Sequence, residues 1–315
     1  MKLDVVIVTY NRLEKLKTTL DCYRNQSRSF RNLILINNCS SDGTSEFLEE
    51  WRKEETPFNK IIVNSDYNLG GAGGFCLGQK KALELGADWV FVADDDAYPQ
   101  ANMIEEFLLF AQREHIDNYA AICGSVLYSD KTICYEHRSH LRKRWNSIVK
   151  IPSKSEEYQA EKFEFDLLSY VGSFINAKAM SRYGTANPDY FIYFDDTEHS
   201  LRIKRYGKII CVPQIKIVHD DRTAVSNINP DIIVSWRDYY SVRNRYHMVT
   251  RHFPLVGCVY VCSFILSKLK SFLIKRNDIR TIVLERAKMN GICGRLGIHK
   301  LYKPGWNITK VDNDF

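Results

Sequence analysis

Four apolar runs fall in the first hundred residues: Asp4 to Thr9, Leu33 to Ile36, Lys60 to Asn64 and Trp89 to Ala93. Between them, apolar residues recur at helical spacing. A strand that passes through a helix and re-enters the same sheet does so by a right-handed crossover, so this alternation predicts a parallel sheet covered by helices. Leu13, Leu16, Leu20 and Tyr23 mark the first helix, with Asn11 as its expected cap. Phe47, Leu48 and Trp51 belong to the second, and Gly74 to Leu85 forms the third. In open α/β sheets ligands bind beyond the carboxyl ends of the strands. Thr9-Tyr10-Asn11, Asn37-Asn38, Asn64-Ser65-Asp66 and Asp94-Asp95-Asp96 all stand at those ends. The expected class is α/β with a mostly parallel central sheet.

The middle of the chain is less regular. Ala120 to Leu127 and Leu167 to Ile175 read as strands, separated by a long polar excursion from Tyr128 to Glu164. Tyr190 to Phe194 is short and aromatic, and an amphipathic helix through Leu201, Ile203 and Tyr206 follows it and ends at Gly207. Lys208 to Val212 and Ile215 to Val218 read as two strands split by Pro213. From Ile232 the pattern is helical. This divides the chain into residues 1–222 and a helical, basic region, 223–315. Between Arg237 and Lys303 fourteen Lys and Arg face only Asp238, Asp278 and Glu285, while the net charge is +6, so the rest of the chain is acidic by about five charges. Nine cysteines without a C-x-x-C pair form no disulfide or zinc pattern and are expected to be reduced and mostly buried. The four apolar residues Val5 to Val8 are too few for a signal peptide, so a cytoplasmic protein is expected.

Three carboxylates directly behind a buried strand repel one another unless a cation neutralises them, which makes Asp94-Asp95-Asp96 a candidate metal site. A solvated acidic turn capping the next helix is the plain alternative. Asn68-Leu69-Gly70-Gly71-Ala72-Gly73-Gly74-Phe75 places four glycines in five positions at a helix entrance. Backbone N–H groups there can approach a diphosphate; a tight strand-to-helix turn is the simpler reading. A second acidic pair, Asp195-Asp196, opens the helix ending at Gly207 and can serve as a helix cap or as a proton acceptor. Trp236 and Tyr239-Tyr240 suit either stacking on acceptor sugars or the core of the first C-terminal helix.

The order and spacing of Val5-Val6-Ile7-Val8-Thr9-Tyr10-Asn11-Arg12, Asn37-Asn38-Cys39-Ser40-Ser41-Asp42-Gly43-Thr44, Asn68-x-Gly and Asp94-Asp95-Asp96 resemble the nucleotide-sugar domain of family 2 inverting glycosyltransferases with the GT-A fold. The resemblance covers roughly residues 3 to 220. It implies that Thr9, Asn11, Asn38 and Asp42 grip the nucleoside, with Asn37 departing from the Asp that many members carry. It also implies that Asn68, Gly70, Gly71 and Gly73 border the diphosphate. Asp94 and Asp96 become the metal-side carboxylates, consistent with residues two apart on an extended segment pointing the same way, and Asp95 turns toward the sugar or ribose. His219, at the end of the last strand, completes the metal shell. Asp196 is the base, Asp195 its substitute, and Ser173 shapes the acceptor side. A divalent ion, Mg2+ or Mn2+, is implied as cofactor.

The doubled glycines and the triple aspartate are similar to bacterial galactofuranosyltransferases, so UDP-galactofuranose is the expected donor, with dTDP-rhamnose as the alternative. Leu255 to Leu266, an apolar run shorter than a membrane span and followed by Lys268, Lys270, Lys275 and Arg276, is expected to lie on an anionic membrane face and to bring the site to a lipid-linked glycan acceptor of a bacterial cell surface. A buried helix with a solvated basic face is the alternative. No nucleic-acid motif accompanies the basic region. A noncatalytic module of the same fold and a metal-dependent phosphoester hydrolase are the rival functions.

Overall fold

The computed structural model describes residues 1–220, 231–274 and 278–309. Asp221, Lys275, Arg276 and the expected domain junction at 222/223 lie outside them. Four strands, β1 (Leu3–Thr9), β2 (Asn32–Asn37), β3 (Asn59–Asn64) and β4 (Trp89–Asp94), are parallel, as the alternation predicts, and stand in the order β3-β2-β1-β4. Their side chains are buried on both faces of β1, β2 and β4, which is why these runs are continuously apolar rather than alternating. Three helices connect them: α1 (Leu13–Arg24), α2 (Thr44–Trp51) and α3 (Gly70–Glu84).

Beyond β4 the sheet continues through β5 (Ala97–Pro99), β6 (Tyr119–Leu127), β11 (Ser173–Asn176) and β12 (Lys208–His219), in the order β4-β11-β6-β12-β5. Strand β11 runs antiparallel to both neighbours. The predicted two strands around Pro213 are one strand, β12, whose pairing with β6 slips between Cys211 and Lys216, so the proline sits in an irregularity instead of ending the strand. Helices α4 (Met103–Arg113) and α5 (Ala177–Tyr183) pack around this half.

One expectation changes here. The polar excursion contains a hairpin, β7 (Arg138–Arg144) and β8 (Ser147–Pro152), which pairs with the short β10 (Leu167–Leu168); β9 (Phe163–Phe165) adds to β12. Arg138, fully buried, anchors the hairpin by donating to the carbonyls of Gly124, Val171 and Gly172 at 3.0, 2.8 and 2.9 Å. A polar sequence hid a structured element because Arg142, Lys143, Arg144 and Lys150 stay exposed while Arg138 is buried on backbone carbonyls. The short aromatic segment Tyr190 to Phe194 is a turn in which Phe191, Tyr193 and Phe194 all have φ of 65°. It leads into α6 (Asp195–Ile203).

The C-terminal region holds the helices Trp236–His252, Pro254–Leu273 and Ile279–Ile292, with β13 (Ile232–Ser235) paired to β14 (Asn307–Thr309). The Pro254–Leu273 helix runs on through Lys268 and Lys270, so the apolar element is longer than the expected dozen residues and reaches the length of a span, although few of its residues are buried. All nine cysteines are free, but only Cys76, Cys123, Cys134 and Cys211 are buried; Cys39, Cys258, Cys262 and Cys293 are exposed.

Candidate active site

One cavity of about 780 Å³ opens at the carboxyl ends of the strands, lined among others by Thr9, Asn11, Asp94, Asp95, Asp195 and Asp196. The two acidic clusters, a hundred residues apart in sequence, therefore face the same space. His219 reaches it because β12 pairs antiparallel with β5, setting His219 opposite Ala97, immediately after the acidic triplet. Ligand atoms of Asp94, Asp96 and His219 lie within 4.8 Å of one another.

The electrostatics of this group suit a cation. Burial first, then the charge of Asp96, pushes the Asp94 carboxyl up to about 7. Burial raises Asp95 to about 6 despite Arg12 and the Thr9 hydroxyl, which donates to it at 2.7 Å. Burial acts on Asp96 as well, but His219 and Arg12 hold its carboxyl below the usual range. The Arg12 guanidinium spans Asp95 and Asp96 at 3.2 and 2.7 Å, and Lys15 Nζ lies 3.4 Å from Asp96. The buried Asp96 Oδ1, 3.3 Å from His219 Nε2, still lacks a well-aligned hydrogen bond. Two carboxylate oxygens and an imidazole nitrogen converging in this way fit a divalent ion.

Across the cavity, burial and then the neighbouring charge of Asp196 raise the Asp195 carboxyl well above its ordinary value, and Asp94 adds to the effect. Asp195 is buried, whereas Asp196 keeps partial exposure and accepts hydrogen bonds from the backbone N–H and hydroxyl of Thr197 at 2.5 and 3.1 Å. The turn before them is held from the C-terminal region. Asn244 Nδ2 donates to the carbonyls of Tyr190, Ile192 and Tyr193 at 2.9, 2.8 and 2.9 Å, and Arg243 to those of Asp189 and Tyr190 at 3.0 Å. From the other side, Phe191 O accepts from Ala72 N at 3.1 Å.

The remaining expected residues divide. Asn11, Asn38, Asn68, Gly70, Gly71 and Trp236 line the cavity. Asn38 also pins the start of α3, accepting from Leu69 N and donating to Gly70 O at 2.8 and 3.1 Å. Asp42 does not line it: the carboxylate caps α1 through Leu13 N at 3.0 Å and takes Thr44 Oγ1–H at 2.6 Å, which also replaces the cap expected from Asn11. Gly73 lies in the helix rather than a loop, where a Cβ would come within 2.7 Å of the Leu69 side chain. The glycine segment is thus the first turns of α3, fitted against the sheet, with only Gly70 and Gly71 on the cavity. Ser173 is withdrawn behind the wall, buried and donating to Ser169 O at 2.7 Å, while Ser169, Tyr170 and Val171 face the cavity. Tyr239 and Tyr240 are fully buried core aromatics.

Sequence reasoning missed Arg12 as a partner of the triplet, His137 just before β7, Lys150 of β8, and Asn244 and Arg243. Arg12 stood in a quoted motif. Nothing in the excursion's composition pointed to His137, whose ring meets that of His219 edge-on at 5.2 Å.

Comparisons with known proteins agree with this geometry. The chain is 30% identical over 210 residues to the galactofuranosyltransferase GlfT1 of Mycolicibacterium smegmatis, covering 64% of this chain and 65% of that protein, just under two thirds of its length. It is 25% identical over 262 residues to the dTDP-rhamnosyl transferase RfbF of Shigella flexneri, covering 80% and 81%. Among solved structures, S. aureus TarS 1-349 in complex with UDP-GlcNAc superposes with a TM-score of 0.60 at 14% identity, over 94% of this chain and 82% of that one. The mannosyltransferase PcManGT of Pyrobaculum calidifontis, in complex with GDP-Man and Mn2+, gives 0.54 at 13% identity, over 93% and 86%. These likenesses carry the GT-A fold. The family description "Glycosyl transferase family 2" matches residues 4–183, more than half of the chain, and this protein belongs to that family.

Proposed function

We propose that the protein is a metal-dependent inverting glycosyltransferase that moves galactofuranose from UDP-galactofuranose to a hydroxyl of a lipid-linked bacterial surface glycan. The observation that carries this reading is the convergence of Asp94, Asp95 and His219 with Asp195 and Asp196 on one cavity, with Asp96 in ligand reach of Asp94 and His219. The similarity to GlfT1 supports the donor. Asp94, Asp96 and His219 would hold Mg2+ or Mn2+, which supplies positive charge for the departing diphosphate. Thr9 and Arg12 orient Asp95 toward the donor. Asp196 takes the proton of the acceptor hydroxyl as its oxygen bonds to the anomeric carbon and the carbon–oxygen bond to UDP breaks, so the configuration inverts. Burial and the neighbouring Asp196 raise the Asp195 carboxyl and so favour its protonated form, which leaves that proton to Asp196. Trp236 lines the same cavity and would contact the acceptor there. A cytoplasmic position at the inner face of the membrane follows from the lipid-linked acceptor.

A dTDP-rhamnose donor is the second reading, because the match to RfbF extends over more of the chain. Purified protein given Mn2+, a short galactoside acceptor and, in parallel, UDP-galactofuranose and dTDP-rhamnose separates the two. Transfer from the first alone supports the proposal, and transfer from the second alone replaces it. Asp196→Asn should lower turnover by about 10²–10⁴-fold while UDP still binds; an active variant would remove Asp196 as the base.

A further inference from the structure

The helix Pro254–Leu273 turns two different faces outward and inward. Val256, Gly257 and Phe264 are buried against the rest of the protein. On the opposite side Leu255, Ile265, Leu266, Leu269, Phe272 and Leu273 recur at spacings of three, four and seven residues, which gathers them into one stripe at 100° per residue. Leu255, Phe272 and Leu273 are 86, 80 and 78% exposed. A water-facing helix is normally apolar on its inner side alone, so a second, outward apolar stripe needs a cover. Lys268 and Lys270 flank the stripe, one on each side.

Lys268 also lines a second cavity, of about 750 Å³, separate from the active site and walled by Arg286, Arg295 and Lys300. Glu285 is its single acidic lining residue. Lys268, Arg295 and Lys300 make no ion pair among the described residues; the Lys268 ammonium instead stands 6.0 Å from the Phe264 ring. An uncompensated cationic hollow bordering an apolar stripe matches an amphiphile whose anionic head and hydrocarbon tail are joined.

We propose that the Pro254–Leu273 stripe lies in the plane of a membrane surface and that the adjoining basic cavity takes the phosphate of a lipid headgroup. The charge of the cavity chooses this occupant over a second copy of the chain, whose own cavity would bring like charge to the contact. This deepens the reading of a lipid-linked acceptor: the enzyme rests on the lipid phase while the cavity at the sheet ends faces the glycan.

The test is co-sedimentation of the full chain with vesicles of phosphatidylcholine, or of phosphatidylcholine and phosphatidylglycerol in equal parts. The expected result is binding to the anionic vesicles, weakened about tenfold or more by Arg295→Glu with Lys300→Glu and abolished by Leu269→Glu with Phe272→Glu. UDP binding and transfer to a soluble galactoside, measured on the same variants, should be unchanged. Loss of transfer by every form, with vesicle binding intact, would count against the proposed reaction alone. Equal vesicle binding by the Arg295→Glu, Lys300→Glu variant and the unsubstituted protein would overturn the cavity assignment. Thermal stabilisation by inorganic diphosphate that Arg295→Glu with Lys300→Glu removes, without vesicle binding, would also overturn it, in favour of a soluble anion. So would a dimer that Leu269→Glu with Phe272→Glu converts to monomer, which puts a second copy on the stripe.

Discussion

At the scale of single residues, the acidic triplet behaves as three different groups. Asp96 is tied to Arg12 and His219, Asp95 to Thr9, and Asp94 is left with a carboxyl pushed up to about 7. A group with a folded value near 7 and an ordinary value of 3.8 binds more protons in the folded than in the unfolded chain between those limits. Without metal, its contribution to stability therefore falls as pH rises through that window. A divalent ion has to displace the Asp94 proton, so its affinity rises with pH up to about 7 and levels off above. Thermal unfolding with and without Mn2+ should show a metal-dependent increase in Tm that grows from pH 5 to about 7; a pH-independent increment would count against Asp94 as a ligand. The triplet itself was legible in the sequence. Its division of labour was not, because it depends on Arg12 and His219, which only folding brings beside it.

At the scale of elements, α3 and the turn before α6 carry the site, and both are shaped by close approach. Gly70 has φ of 71°, and a Cβ there would meet Phe191 O at 2.0 Å. Gly78 stands over Val6, whose Cγ1 would lie 2.3 Å from an added Cβ, while Gly71 meets nothing within 4 Å. Gly78→Ala should therefore cost about 1–3 kcal/mol of stability through overpacking. Gly71→Ala should leave it unchanged or raise it by about 1 kcal/mol through helix propensity. Denaturant titration checks both, and equal behaviour would refute the packing account. The glycines were visible as an anion-binding motif, yet of the four only Gly70 and Gly71 line the cavity, while Gly73 fits against Leu69 and Gly74 against Val8 of the sheet, a distinction that spacing does not encode. The turn Tyr190–Phe194 depends likewise on a distant partner. Removing Asn244 leaves the carbonyls of Tyr190, Ile192 and Tyr193 without that donor. Asn244→Ala should cost about 1–3 kcal/mol of stability and lower kcat by up to about 10²-fold, with little change in KM for the donor. A variant impaired only in KM would show that the turn does not position the base.

At the scale of the whole molecule, the C-terminal region helps to wall the candidate active site. Trp236 and Arg237 line the cavity, and Phe191 packs in one cluster with Trp236 and Tyr240. A fragment of residues 1–222 should lose transfer altogether even where it stays soluble, because the turn bearing Asp195 and Asp196 loses Arg243 and Asn244. Activity assays on the fragment decide this, and retained turnover would restore two independent units. The sequence by itself determined that the first four strands run parallel and that polar residues cluster at their ends, because both follow from local periodicity and short crossovers. Only the tertiary structure decided which of those residues share a cavity. His219 arrives through an antiparallel pairing of β12 with β5, Ser173 and Asp42 are turned to structural bonds, and the second acidic pair is held by a helix fifty residues further on. Such contacts are set by packing between elements far apart in the chain, and no local pattern of residues records them.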